Sequence, residues 1–106
     1  MSDTVEAAHI LLMYEGSMRS SATRSKEEAQ TLIGQFKEQI DQGGDFAQLA
    51  RQHSDCPSGQ RGGDLGSFGR GQMVKEFDAV AFALDVGAVS GVVETPFGFH
   101  LIKRTG

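Results

Sequence analysis

Apolar and polar positions alternate along the chain in runs of distinct period, and the runs predict its elements in order. From Val5 to Met13 the run VEAAHILLM is apolar on both parities, the pattern of a strand covered on both faces. A polar, Ser-rich loop follows, YEGSMRSSATR over 14–24. Ser25 and Glu28 then stand at capping-box spacing. The apolar stripe Ala29, Leu32, Ile33, Phe36 and Ile40 predicts an amphipathic helix that ends at Gly43-Gly44. Asp45 is placed to cap a second helix, DFAQLARQHSD, with Phe46, Leu49, Ala50 and His53 on one face.

The stretch Cys56 to Phe77 obeys neither period. Its six glycines imply backbone committed to tight turns, while Leu65, Phe68, Met73 and Phe77 are too large and apolar for a solvated loop and read as a pocket lining. Within it DLGSF predicts a short strand. KEFDAVAFALDVG then places Phe77, Val80, Ala81 and Leu84 at helical spacing and stops before Gly87. The tail reads as a strand from Gly91, a turn marked by Pro96 and Gly98, and a last strand, FHLIKR. The order βααβαββ with a closing hairpin predicts an α+β fold with an antiparallel sheet.

Composition narrows this picture to one domain. A chain of 106 residues fits a single domain, and it buries about two-thirds of its unfolded surface, enough for one core without disulfides or metal. With 39% hydrophobic and 23% charged residues and a mean hydropathy of -0.27, it reads as a globular chain without a membrane span. A net charge of -4 and a pI near 5.2 disfavour a nucleic-acid partner, because no basic surplus is available to neutralise phosphates. One cysteine and three histidines at no zinc-ligand spacing imply no disulfide framework and no metal. The acidic start MSDTVEAAHILLMYEG lacks the basic region of a signal peptide, so a cytoplasmic protein is expected as written, or an exported one if the domain is cut from a larger precursor.

Candidate chemistry rests on few residues. His9 and His100 lie in the first and last strands among aliphatic neighbours, where an imidazole needs a hydrogen-bond partner. Each alone reads as a satisfied core histidine; as a pair in the strands that bracket the fold they form a candidate site. Cys56, after Ser54-Asp55 and before Pro57, reads either as a small buried hydrophobe or as a thiol beside imidazole. A cysteine hydrolase would also need an oxyanion hole that no motif here identifies. Arg61-Gly62-Gly63-Asp64 does not match the phosphate-cradling pattern G-x-x-x-x-G-K-S/T, which argues against nucleotide binding.

The segments AHILL, KEEA, DFAQLARQHSDC, SG-x-RGGDLG-x-F, GQM-x-x-x-F and TPFGFHLI together resemble the parvulin family of peptidyl-prolyl cis/trans isomerases over nearly the whole chain. The resemblance implies a four-stranded antiparallel sheet of FKBP-like type surrounded by helices, and isomerase activity on proline-containing segments of client proteins, with no cofactor and as a monomer. Residue by residue it implies catalytic roles for His9, His100, Cys56 and Thr95. Leu65, Met73 and Phe77 would enclose the proline ring, with Phe68 on the rim. Phosphoserine-directed members carry a Lys and Arg cluster on the loop after the first strand; here those positions read Met13, Met18 and Arg19. Small bacterial parvulins lack most of this loop but share the CPSG-x-RGGDLG and FG-x-H segments closely. The expectation is a phosphorylation-independent isomerase preferring an apolar residue before proline. The alternatives are a phosphoserine-directed isomerase and a chaperone module that binds peptides in the same groove without turnover.

Overall fold

The computed structural model describes residues 4–18, 20 and 22–106. Four strands, β1 (Thr4–Leu12), β2 (Asp64–Gly69), β3 (Val93–Thr95) and β4 (Gly98–Arg104), alternate with three α-helices, α1 (Lys26–Asp41), α2 (Phe46–His53) and α3 (Lys75–Ala83), and a 3-10 helical turn at Pro57–Arg61. The strands form one sheet of order β2-β1-β4-β3, antiparallel throughout. The first and last strands of the chain are therefore its two central strands.

The local signals operate as their chemistry predicts. At α1 the Glu28 amide donates to Ser25 Oγ at 3.1 Å and the Ser25 amide donates to Glu28 Oε1 at 2.8 Å, closing the capping box. Asp45 caps α2 by accepting from the Gln48 amide at 3.2 Å. The last hairpin turns through Pro96-Phe97 alone. Gly98 opens β4 at φ +143°, where a side chain would run into the carbonyl of Leu12.

Alternation along β1 sorts the core into two. Ala8, Ile10 and Leu12 face α1 and α2, where they pack with Ile33, Phe36, Leu49, Phe99 and Leu101. Val5 and Ala7 point the other way, with Ile102, Phe68 and, from α3, Phe77 and Ala81. The pairing of β1 with β2 is irregular between Glu6 and Ala8, and Glu6 is exposed, but the alternation of faces continues beyond it. Among the described residues no helix is long and apolar enough to cross a membrane.

Three expectations are corrected. The first strand runs from Thr4 to Leu12 rather than from Val5 to Met13, because side chains take over the backbone hydrogen bonds of Met13. His53 shares the face of Phe46 in sequence, yet it sits exposed at the last turn of α2 and stacks on Phe36, with ring centroids 4.7 Å apart, instead of entering the core. The stretch after Cys56 is partly helical: Pro57 starts the 3-10 turn, its fixed φ and missing N–H being suited to a first helical position.

Candidate active site

The sheet register builds the site. His9 pairs with Ile102 and Leu11 with His100, so the two histidines are diagonal neighbours on one face of the two central strands. Their rings stack with centroids 5.3 Å apart, and Nδ1 of His9 lies 3.1 Å from Nδ1 of His100. On the far side of His100, Thr95 Oγ1 is 2.7 Å from Nε2, and Thr95 in turn accepts from the Phe97 amide at 3.2 Å. All three side chains are buried, His9 at 6%, His100 at 4% and Thr95 at 3% exposure.

Burial holds both imidazoles neutral. It pushes His9 down to about 4, and burial together with the adjacent His9 pushes His100 down to about 3. The protons of the chain can then be counted. If Thr95 donates to His100 and His100 Nδ1–H donates to His9, every intermediate atom is used and the one group left over is Nε2–H of His9. The opposite polarity strands both the Thr95 hydroxyl proton and a His9 lone pair. His9 Nε2 is the buried side-chain polar atom without a partner among the described residues, as it is in either polarity; the first is favoured because it also uses the Thr95 hydroxyl proton. The array is a hydrogen-bonded chain from the Phe97 amide through Thr95 and His100 to the His9 ring.

Phe77 stands edge-on to both imidazoles, at 5.5 Å from His9 and 5.6 Å from His100. Beside it opens a cavity of about 340 Å³. His9, Leu11 and Met13 line it from one face of the β1 end, at the two-residue spacing of a strand. Cys56 and Pro57, then Leu65, close a second wall. Met73, Val74 and Phe77 form the third, and Phe97 stands at the hairpin. Among the described residues that line it, none is Asp, Glu, Lys or Arg.

Two close approaches place these walls. Gly63, at φ +85°, accepts from the His9 amide at 2.9 Å, and a Cβ there would run into the His9 carbonyl, so only glycine lets the Gly-rich segment lie against β1. After α2, the Asp55 amide donates to the Leu11 carbonyl at 2.7 Å and the Leu11 amide to Ser54 Oγ at 3.1 Å, which sets Cys56 beside the strand. Its sulfur accepts from Ser58 Oγ at 3.2 Å.

The structure thus brings His9, His100, Thr95, Cys56, Leu65, Met73 and Phe77 together, with Thr95 behind His100 rather than on the cavity wall. Phe68 is not on the rim. It is 4% exposed and packs behind Phe77, centroids 6.0 Å apart, because its position on β2 turns it into the core under α3. Of the expected specificity loop, Met13 reaches the cavity. Met18 does not line it: half-exposed, it is tied through its amide to the Pro96 carbonyl at 2.9 Å. Arg19 lies outside the described residues. Leu11, Pro57 and Val74 were not foreseen as lining residues, although the odd-numbered alternation of β1 carries Leu11 into the same row as His9. Ser58 was also missed. Among the described residues no cluster of three or more His, Cys, Asp or Glu side chains could hold a metal ion.

Comparison with known proteins places this geometry. The family model described as the PPIC-type PPIase domain matches residues 1–106. The chain is 46% identical over 109 residues to the Drosophila melanogaster protein dodo, covering 96% of this chain and 66% of that one. It is 43% identical to the peptidyl-prolyl cis-trans isomerase Pin1 of Digitalis lanata, with 99% of this chain and 98% of the relative covered. The solved structure of the peptidyl-prolyl isomerase ESS1 from Candida albicans superposes with a TM-score of 0.94 at 35% identity, over 98% of this chain and 63% of that one.

Proposed function

The chain belongs to the parvulin, or PPIC-type, family of peptidyl-prolyl cis/trans isomerases, and from that membership we propose that its cavity seats a proline ring and favours an unphosphorylated, apolar residue before it. The observation that carries this reading is the lining of the cavity, which is uncharged among the described residues and is closed by Met13 and Phe97. The described cations on either side of the loop are already engaged: Arg24 is paired with Asp55 at 2.6 Å and Lys26 with Glu94 at 3.0 Å. A phosphate before proline would have to displace one of these carboxylates or find its charge elsewhere.

Isomerisation breaks no bond. Rotation about X-Pro must overcome amide resonance, a barrier of about 18–20 kcal/mol, and an acceleration of ~10⁵ requires lowering it by about 7 kcal/mol. Leu65, Met73 and Phe77 would grip the ring while the carbonyl side turns. In the twisted amide the nitrogen recovers its lone pair and the bond loses polarity, so an uncharged cavity disfavours the planar form more than the twisted one. The relay through Thr95, His100 and His9 would form a fixed, neutral floor beneath the ring, preorganised before the peptide arrives. Cys56 lines the wall beside it, and no covalent step is required of its sulfur.

A protease-free isomerisation assay on two peptides, differing only in leucine or phosphoserine before proline, tests the proposal. Turnover of the leucine peptide with a kcat/KM above that of the phosphoserine peptide is expected. A large gain for phosphoserine would overturn the apolar preference.

A further inference from the structure

The segment that follows β1 is tied near both ends, at Met13 and Arg24, to a single carboxylate. Asp55 Oδ2 accepts from the Met13 amide at 2.9 Å and from Arg24 Nη1 at 2.6 Å, and the same Nη1 donates to the Met13 carbonyl at 3.0 Å. Both backbone polar groups of Met13, which has left the sheet ladder, are therefore held by this one ion pair. The Glu15 amide donates to the Arg24 carbonyl at 2.9 Å and closes the base of the loop a second time. Met13 is the residue through which this arrangement meets the cavity, and Asp55 is the neighbour of Cys56 on the adjoining wall.

The charges are as telling as the geometry. Arg24 and Asp55 are each less than a third exposed, and each is bonded to the backbone of a residue that lines the cavity mouth. Left alone, either would put a full charge against the backbone of Met13 on the cavity wall, with a field screened over about a Debye length, roughly 8 Å at physiological salt. Together they cancel.

We propose that Arg24 and Asp55 are paired specificity-determining residues, which by neutralising one another while holding Met13 keep the entrance to the proline cavity apolar. Neither touches the proline; both act on the residue before it, through Met13 and through the field they would otherwise impose. The proposal rests on the reading of the cavity as the proline site, and it adds which side chains decide charge preference there.

The pair makes a prediction that a simple structural tie does not. Asp55→Asn keeps an oxygen for the Met13 amide but frees the Arg24 charge, so kcat/KM for a peptide with glutamate before proline should rise relative to leucine. Arg24→Ala frees the Asp55 charge and should shift the ratio the other way. Shifts of about threefold to fivefold in opposite directions are expected, carried mainly by KM and shrinking at high salt. Arg24→Lys, which keeps the charge, should stay within about twofold of the parent ratio. Thermal unfolding of each variant identifies those folded at the assay temperature, and Arg24→Gln replaces the alanine variant if that one is not. Shifts of both single variants in the same direction, or none in either ratio, would overturn the proposal and leave the pair a structural clasp. If the parent enzyme shows no preference for leucine but the variants still diverge, the apolar preference fails while the paired role stands.

Discussion

On one face of the sheet two helices bury Ile10, Leu12, Phe99 and Leu101 almost completely, with apolar side chains on all sides. On the other a single nine-residue helix covers Ala7 and Ile102 but leaves room beside His9, Leu11 and His100 for a cavity of about 340 Å³. The same strands supply both faces, so the difference lies in what covers them. A close-packed face contributes stability in proportion to the apolar surface it removes from water. The open face leaves part of that surface for a ligand to cover, and offsets the loss by hydrogen-bonding the polar groups it buries. Stability and activity should therefore respond to substitutions on opposite faces.

The largest effect is expected from the closed face. Ile33→Ala, at a fully buried position between α1 and the sheet, should lower the unfolding free energy by about 2–5 kcal/mol in a denaturant titration. Where that variant is folded, its kcat/KM should stay within about twofold of the parent, as would be expected if the two faces are independent beyond ~7–10 Å. Thr95→Val sharpens the contrast from within the relay. It strands Nε2 of the buried His100 and should cost about 1–3 kcal/mol of stability together with a loss of turnover. Met73→Ala is expected to invert the balance. Half-buried at the cavity wall, it should change stability by about 1 kcal/mol or less yet reduce kcat/KM about tenfold, which corresponds to ~1.4 kcal/mol of transition-state binding. An equal loss of stability and activity in Ile33→Ala and Met73→Ala would abolish the distinction between the faces.

A last contrast is a pH dependence confined to the open face. His9 and His100 have folded-state values of about 4 and about 3, below the ordinary 6.5. As pH falls below about 6.5 the unfolded chain takes up protons that the native pair refuses, so stability declines until the native rings themselves charge near pH 4 and below. Chemical denaturation between these limits should show unfolding free energy falling with pH, and a shallower slope in a His9→Asn/His100→Asn variant. Above pH 6.5 neither state gains a proton at these positions and the two slopes should agree.

What the sequence reveals follows the range of each interaction. The Ser25–Glu28 box and the Asp45 cap span three residues and are legible as written. The two-sided burial of β1 is legible because every parity of VEAAHILL is apolar. His53 and Phe68 defeat the same reasoning. Helical phase puts His53 on the buried face without saying that α2 ends there, and nothing local says that Phe68 would turn under α3 rather than toward the cavity. Individual residues make the histidines no more than a suggestive pair; their joining through Thr95 came from family resemblance and from strand register, not from spacing. The Arg24–Asp55 pair lies 31 residues apart in sequence, with each partner in a stretch that reads as polar loop or helix end, and no pattern announces it.

The order of the strands also governs when the enzyme can exist. His9 and His100 are separated by 91 residues, yet they meet between adjacent central strands. During synthesis β1 is made before its principal neighbour β4, with every other element of the domain between them. Closing so long a segment costs entropy that grows only slowly with its length, but pairings of this separation slow folding. A nascent chain that stops before β4 lacks His100 and cannot carry the site. On refolding from denaturant, activity should return in the same kinetic phase as the completed sheet, so that the domain becomes an enzyme at the moment its two ends find each other.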